Sequence, residues 1–472
     1  MTKPNGLNLL EGSLLKNIIK LGYPMALGSL AQTLYDLADT FWLGKLGKEA
    51  LSAPVIAFHI VFFLIAIALG FSISGTSLVS QYIGAKEKEK ANQSAGNLLM
   101  YLFLIAIILS ALGLLLANPL LKLLKTPADA FASTFSYYWI MMAGMPLAFP
   151  IFVYQSVMNG YGDTISPLKI ALGTAAINMV LDPVLIFGWL GFPALGVKGA
   201  ALTTVITRTL ASIVGIYLFF SGKKGIKLKL RHLKPDINIS RMIVKIGIPS
   251  AVGFAGASLG FIVLIGIVNL FGTPVVSAYG ISSRVVHFFM LPAMGISAAV
   301  TAIVGQNLGA GNIHRAKSTV VKGIILMLCV IVPPAILTFI FGKQVTMFFI
   351  PGDPMIHRIG QVMFYITPPS LIFFGLSTVL QGAFQGSGYT VPVMVTNLAR
   401  IWLFRIPFVY LFAVVLLDGP TDIYACVGIW WGMVASNFLS YLMLYFWYKK
   451  GNWTKARIKK ELKSPGQESV RE

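Results

Sequence analysis

The sequence predicts an all-α integral membrane protein: twelve transmembrane helices in two six-helix lobes, related by a pseudo-two-fold axis along the membrane normal. Three observations predict it. Of 472 residues, 56% are hydrophobic and 11% charged, whereas soluble domains carry about a quarter charged residues. Apolar stretches long enough to cross a hydrocarbon core of about 30 Å recur along the whole chain. The second half of the chain also repeats the first.

The stretches run, in order, over Ile18–Leu43, Pro54–Ile83, Leu98–Leu116, Phe131–Met158, Ile165–Leu190 and Gly199–Phe220. Six more follow over Ile243–Phe271, Val275–Val304, Val320–Phe341, Ile359–Ala383, Val391–Leu417 and Tyr424–Trp447. The first is of full spanning length and lacks a small-residue cleavage site, so it is expected to remain as a helix. An even number of spans puts both termini on one side. Basic residues decide which. The N-terminus, the loops on its side and the C-terminal tail hold 22 Lys and Arg, and the opposite loops hold 7. The richer side is expected to be cytoplasmic, in a cell membrane. The expected organisation is a first lobe over 1–222, a basic cytoplasmic linker over 223–240, a second lobe over 241–450 and a cytoplasmic tail over 451–472.

A net charge of +21 would suit nucleic acid if it were gathered on one face. Here it sits in loops, so nucleic acid is not an expected partner, and the linker reads as an anchor at an anionic leaflet. Cys329 and Cys426 give neither a disulfide framework nor a metal spacing. No GxxxxGK[ST], HExxH or GxSxG pattern is present, so neither an enzyme nor an ATP-driven pump is expected, and no cofactor.

The repeat appears on shifting by 225. Gly22–Ala91 then falls on Gly247–Ala316 without a gap, with 20 of 70 positions identical. Gly22-Tyr23-Pro24 meets Gly247-Ile248-Pro249, and Gln81 meets Gln306. Further along, the run from Gln155 to Thr164 meets the run from Gln381 to Thr390. Six spans per half leave both repeats in the same orientation. Proteins of this design place a transport site between or within the halves and rock them in alternating access.

Charge breaks the symmetry. Only Asp36, Asp39 and Asp182 among sixteen acids fall inside apolar stretches, and all lie in the first half. Membrane-embedded basic residues are expected in both halves: Arg208 in the first, and Arg284, Arg400 and Arg405 in the second. Intramembrane acids are costly and mark ion or substrate paths. Gln32, Tyr35 and Asp39 share one helix face, with Asp36 in the same sector. The alternative for Asp39 is a helix end wetted by headgroup water. Asn178 and Asp182 are neighbours at i and i+4. With the carbonyl that Pro183 frees, they suit Na⁺, or a proton with water. Alternatively, Asn178 simply satisfies Asp182 and Asp-Pro ends the helix. Tyr137, Gln155 and Asn159 give the fourth stretch a polar–aromatic side. Pro24 is a candidate hinge or, alternatively, a proline of the first helical turns.

Taken together, Gly22-Tyr23-Pro24, Tyr35 through Gly44, Val79 through Ala85, Gly160 through Thr164, Asp182-Pro183, Gly199 through Thr204, Val304 through Gly311 and Gly428 through Gly432 carry a resemblance. The chain is similar to multidrug and toxic compound extrusion (MATE) transporters, most of all to an archaeal, DinF-like pattern. The resemblance implies export of small organic compounds, often cationic or amphipathic, against inward H⁺ or Na⁺, by a monomer among membrane lipids. It implies an ion group of Asp39, Asn178, Asp182 and Thr204, which would also be the Na⁺ ligands. It implies that Gln32, Tyr35, Tyr137 and Gln155 line the first lobe's cavity. Asp36 departs from the family, which usually has Asn there, so it joins the candidate ion group. The alternative function is a flippase for lipids or lipid-linked oligosaccharides.

Overall fold

In the computed structural model, residues 7–124, 126–417, 419, 423–455 and 458 are described, apart from the side chains of Lys48, Glu49, Leu51 and His59. The tail expected over 451–472 lies mostly outside them. All regular structure among the described residues is helical. The first repeat contains α1 (Leu14–Leu46), α2 (Lys48–Gly84), α3 (Lys88–Leu115), the short α4 (Ala117–Leu123), α5 (Ala128–Ala148), α6 (Pro150–Tyr161), α7 (Ile165–Phe187) and α8 (Val197–Ser221). The second contains α9 (Ile237–Asn269), α10 (Thr273–Gly309), α11 (Ile313–Phe349), α12 (Pro354–Ile366), α13 (Pro368–Ser387), α14 (Val391–Leu398), α15 (Ile406–Val409) and α16 (Val427–Lys449). Nine helical stretches pass on length and apolarity as single spans, and α5–α6 and α12–α13 pass as bent pairs. With α1, whose charged residues dilute its apolarity, the described residues supply twelve.

The fourth span of each repeat is not the single helix that its apolar run suggests. It bends by 43° between α5 and α6 and by 48° between α12 and α13. Pro150 and Pro368 open the second member of each pair. Proline lacks the donor that a continuing helix needs and is tolerated as a first residue. The fifth span differs between repeats. α7 stays α-helical through Pro183 to a left-handed Gly188, so Asp182-Pro183 does not end it. Its counterpart turns π-helical over Ala399–Arg405 and again over Tyr410–Val415.

Helix starts follow the polar residues ahead of them. The carboxylate of Asp163 accepts from the amides of Ile165 and Ser166, and Asp236 does the same for Asn238 and Ile239. Asp353 and Asn312 cap α12 and α11. These bonds satisfy amides that the helix leaves without partners.

The chain divides into two compact units, and the division cuts both opening helices. One unit is Met1–Asn8 with Leu27–Ala251, and the other is Leu9–Ala26 with Val252–Glu472. The cuts after Ala26 and Ala251 are 225 residues apart, like the repeats, and each falls two residues beyond a proline, Pro24 or Pro249. Pro24 is the eleventh residue of α1, which excludes the first-turn alternative.

Small residues make the close contacts within each unit. In the first, Gly70 faces the backbone of Ala251, and Gly160 leaves room for the carbonyl of Thr76, 2.7 Å from where a Cβ would sit. In the second, a Cβ on Gly22 would meet the carbonyl oxygen of Gly295 at 3.1 Å, and Gly386 lies against Thr301 and Gly305. The Gly160–Thr76 contact in one unit is the repeat counterpart of the Gly386–Thr301 contact in the other.

The basic linker is held on the first unit rather than hanging free. Asn97 donates to the carbonyls of His232 and Lys234 and accepts from the amide of Asp236. Glu89 forms an ion pair with Arg231 and lies 2.9 Å from Nε2 of His232. In the second unit, the segment before α1 is tied in an equivalent way. Arg315 donates to the carbonyls of Glu11 at 2.7 Å and Gly12 at 2.9 Å.

Candidate functional site

The first unit gathers polar side chains from α1, α5, α7 and α8. Asp39 stands seven residues before the end of α1, so it is not a terminal residue. One of its carboxylate oxygens is buried and has no hydrogen-bond partner among the described residues. Asn178 and Asp182 on α7 are both 0% exposed. No side-chain polar atom of either has a partner among the described residues, and the same holds for the Thr204 hydroxyl. The alternative in which Asn178 satisfies Asp182 is therefore not what the structure shows. The carboxylates of Asp39 and Asp182 are electrostatic neighbours, and Tyr137 and Tyr35 both feel the charge of Asp39.

A buried polar atom without a partner costs about 1–3 kcal/mol. Two acids, an amide and a hydroxyl in that condition are a donor set that fits a bound cation. Carboxylate, amide and hydroxyl oxygens suit a hard ion such as Na⁺, and either acid can take a proton. The fit is one of chemistry and burial.

Tyr35 is 7% exposed, and its hydroxyl shares a 3.4 Å hydrogen bond with that of Thr207 on α8. The Thr207 hydroxyl itself donates to the carbonyls of Thr203 and Thr204. Arg208, next along α8, is an electrostatic neighbour of Asp39, Tyr35 and Tyr137. A small apolar cavity between α2, α5 and α8 reaches Thr204 and Arg208. The sequence marks Arg208 as a membrane-embedded cation without assigning it a place, and it does not single out Thr207; in the structure Arg208 is half-buried. The signal was present in the spacing. Thr203, Thr204, Thr207 and Arg208 follow the three-and-four rhythm of a single helix face.

The remaining candidates separate from this cluster. Gln32 and Asp36 are exposed and bond each other, Gln32 Nε2 donating to Asp36 at 2.9 Å. Asp36 is nonetheless an electrostatic neighbour of Asp39. Gln155 and Asn159 are half-buried on α6, and none of the interactions above includes them.

Comparison with known proteins identifies relatives of the whole chain. The probable multidrug resistance protein YoeA of Bacillus subtilis is 28% identical over 92% of this chain and 93% of its own. The probable multidrug resistance protein NorM of Thermotoga maritima is 27% identical over 94% of each. A crystal structure of a MATE protein in a bent conformation superposes with a TM-score of 0.87 at 24% identity, covering 98% of this chain and 99% of the other. The family model MatE matches twice, over residues 24–184 and 249–411, in the same 225-residue register as the internal repeat. By that double match, which covers more than half of its length, the chain belongs to the MatE family.

Proposed function

We propose that this protein is a secondary active multidrug exporter rather than an enzyme. It moves small organic compounds, cationic or amphipathic, out of the cell by alternating access, against inward H⁺ or Na⁺. The observation that carries the reading is the set of unpartnered buried polar atoms on Asp39, Asn178, Asp182 and Thr204. The MatE match and the printed names of YoeA and NorM support it. A flippase for lipids or lipid-linked oligosaccharides is not favoured by those relatives.

In the proposed cycle, the two acids hold the ion in one shape of the first unit and release it in another. That difference in affinity is what lets a gradient drive transport. Tyr35, Tyr137, Gln32, Gln155 and Asn159 would meet the substrate, and Asp36 would tune the charge beside Asp39. Pro24, interior to α1 and close to the division between units, is the proposed bend. The protein would act as a monomer in the cell membrane with both termini cytoplasmic.

The test is ethidium transport in proteoliposomes with an imposed H⁺ or Na⁺ gradient. The wild type should move the dye with one of the two gradients. Asp39→Asn and Asp182→Asn should reach the membrane at normal levels and lose gradient-driven transport, and Asp36→Asn should keep most of it. Near-normal transport by Asp182→Asn would remove the first unit as the coupling site. A reporter fused after Lys229 should read cytoplasmic, and an external reading would overturn the assigned orientation.

A further inference from the structure

The second unit holds a charged cluster that the exporter cycle does not use. Arg400 and Arg405 lie near the middle of the fifth span, 8% and 3% exposed. A basic residue at that depth is costly to insert. Neither has a carboxylate partner among the described residues. The two are electrostatic neighbours of each other, which adds like-charge repulsion.

The two guanidiniums are in different condition. Arg405 is anchored: its Nε donates to the hydroxyl of Ser436 at 3.0 Å and its terminal nitrogen to the side-chain oxygen of Asn437 at 2.6 Å. Asn437 in turn donates to Ser370. Arg400 is not anchored. Its Nε is buried and has no partner among the described residues, and its guanidinium lies 4.9 Å over the ring of Phe374. One turn earlier, on the same helix face, the hydroxyl of Thr396 is also buried without a partner. Asn397 is buried beside it, 6% exposed. The backbone there is π-helical over Ala399–Arg405, a departure that recurs at functional sites.

A guanidinium with an open donor edge, a hydroxyl one turn away and an aromatic ring against its face make a receptor for a planar organic anion. The fork matches a carboxylate or phosphate oxygen pair, and Arg405 adds a second positive charge held in place by Ser436 and Asn437. A lipid phosphate sits at the membrane surface, about 15 Å from mid-bilayer, so a headgroup does not reach this depth. We propose that Arg400, with Thr396 and Phe374, binds the carboxylate or phosphate group of an aromatic organic anion, so that the second unit carries a substrate site opposite in charge preference to the first. The proposal deepens the exporter reading by adding a substrate class.

Binding separates the two. The purified chain in phosphatidylcholine nanodiscs is titrated into fluorescein, an aromatic carboxylate, and separately into ethidium, following anisotropy without any gradient. Wild type should bind fluorescein saturably above empty nanodiscs, and Arg400→Gln should weaken it by at least about tenfold, as for a lost charged hydrogen bond. Ethidium affinity should be unchanged. Thr396→Val, nearly isosteric and expected to fold normally, should weaken fluorescein several-fold, so a misfolded Arg400→Gln would still leave a test. No saturable fluorescein binding by wild type, or equal binding by Thr396→Val and a monodisperse Arg400→Gln, overturns the proposal. Neither result bears on gradient-driven ethidium export.

Discussion

In the first repeat, the fifth span carries Asn178 and Asp182 and stays α-helical past Pro183. In the second, the same span carries Arg400 and Arg405 and widens into π-helical turns. Around them the scaffolds agree closely. The turn after α2 is closed by the amides of Lys86 and Glu87, and the turn after α10 by those of Gly311 and Asn312, onto the same relative carbonyls. Left-handed glycines sit at Gly162 and Gly388, Gly160 and Gly386 admit equivalent backbones, and each fourth span bends. Outside the fifth span, what the repeats keep is backbone geometry, which glycine and proline specify. What they change is the charge of the interior, which backbone geometry does not restrict.

The largest effect should come from removing that difference. If Asp39 and Asp182 serve one ion, the double variant Asp39→Asn/Asp182→Asn should transport no worse than either single variant, because residues of one site are not additive. A double variant losing clearly more than both singles would mean two separate ion sites.

Next come the close approaches. Gly160→Val and Gly386→Val each drive a side chain into the backbone of Thr76 or Thr301. Overpacking of this kind costs about 1–3 kcal/mol, occasionally more. Both should lower the thermal midpoint in detergent by similar amounts, and a large inequality would show that the two contacts are not equivalent.

Asn437→Ala probes the second unit alone. It strips Arg405 of one partner and Ser370 of another, and an unsatisfied buried group costs about 1–3 kcal/mol. The same denaturation experiment reads it, and an unchanged midpoint would show that Arg405 finds another acceptor.

The smallest expected effect is at the turns. Lys86 holds a φ of +63° where its counterpart is Gly311 at +78°. A left-handed conformation costs a residue with a Cβ about 1–2 kcal/mol. Lys86→Gly should therefore stabilise by about 1 kcal/mol and Gly311→Ala destabilise by a similar amount. Equal signs would break the equivalence of the turns.

The sequence by itself determined the helical membrane class, the twelve spans, the repeat and the family resemblance. Apolar length and glycine and proline register are properties of the chain, and they need no contact to be read. It also marked Asp39 and Asp182, because an acid inside an apolar run is conspicuous wherever it packs. The tertiary structure decided the rest. That Tyr35 finds Thr207 and that Arg208 lies beside the acids depend on helix rotation and on neighbours 140 or more positions away in the chain, while whether Asn178 satisfies Asp182 and that Gln32 turns to Asp36 depend on side-chain rotamers within one helix. The division through α1 and α9 was likewise invisible, since nothing local in an apolar helix tells which unit each end will pack against.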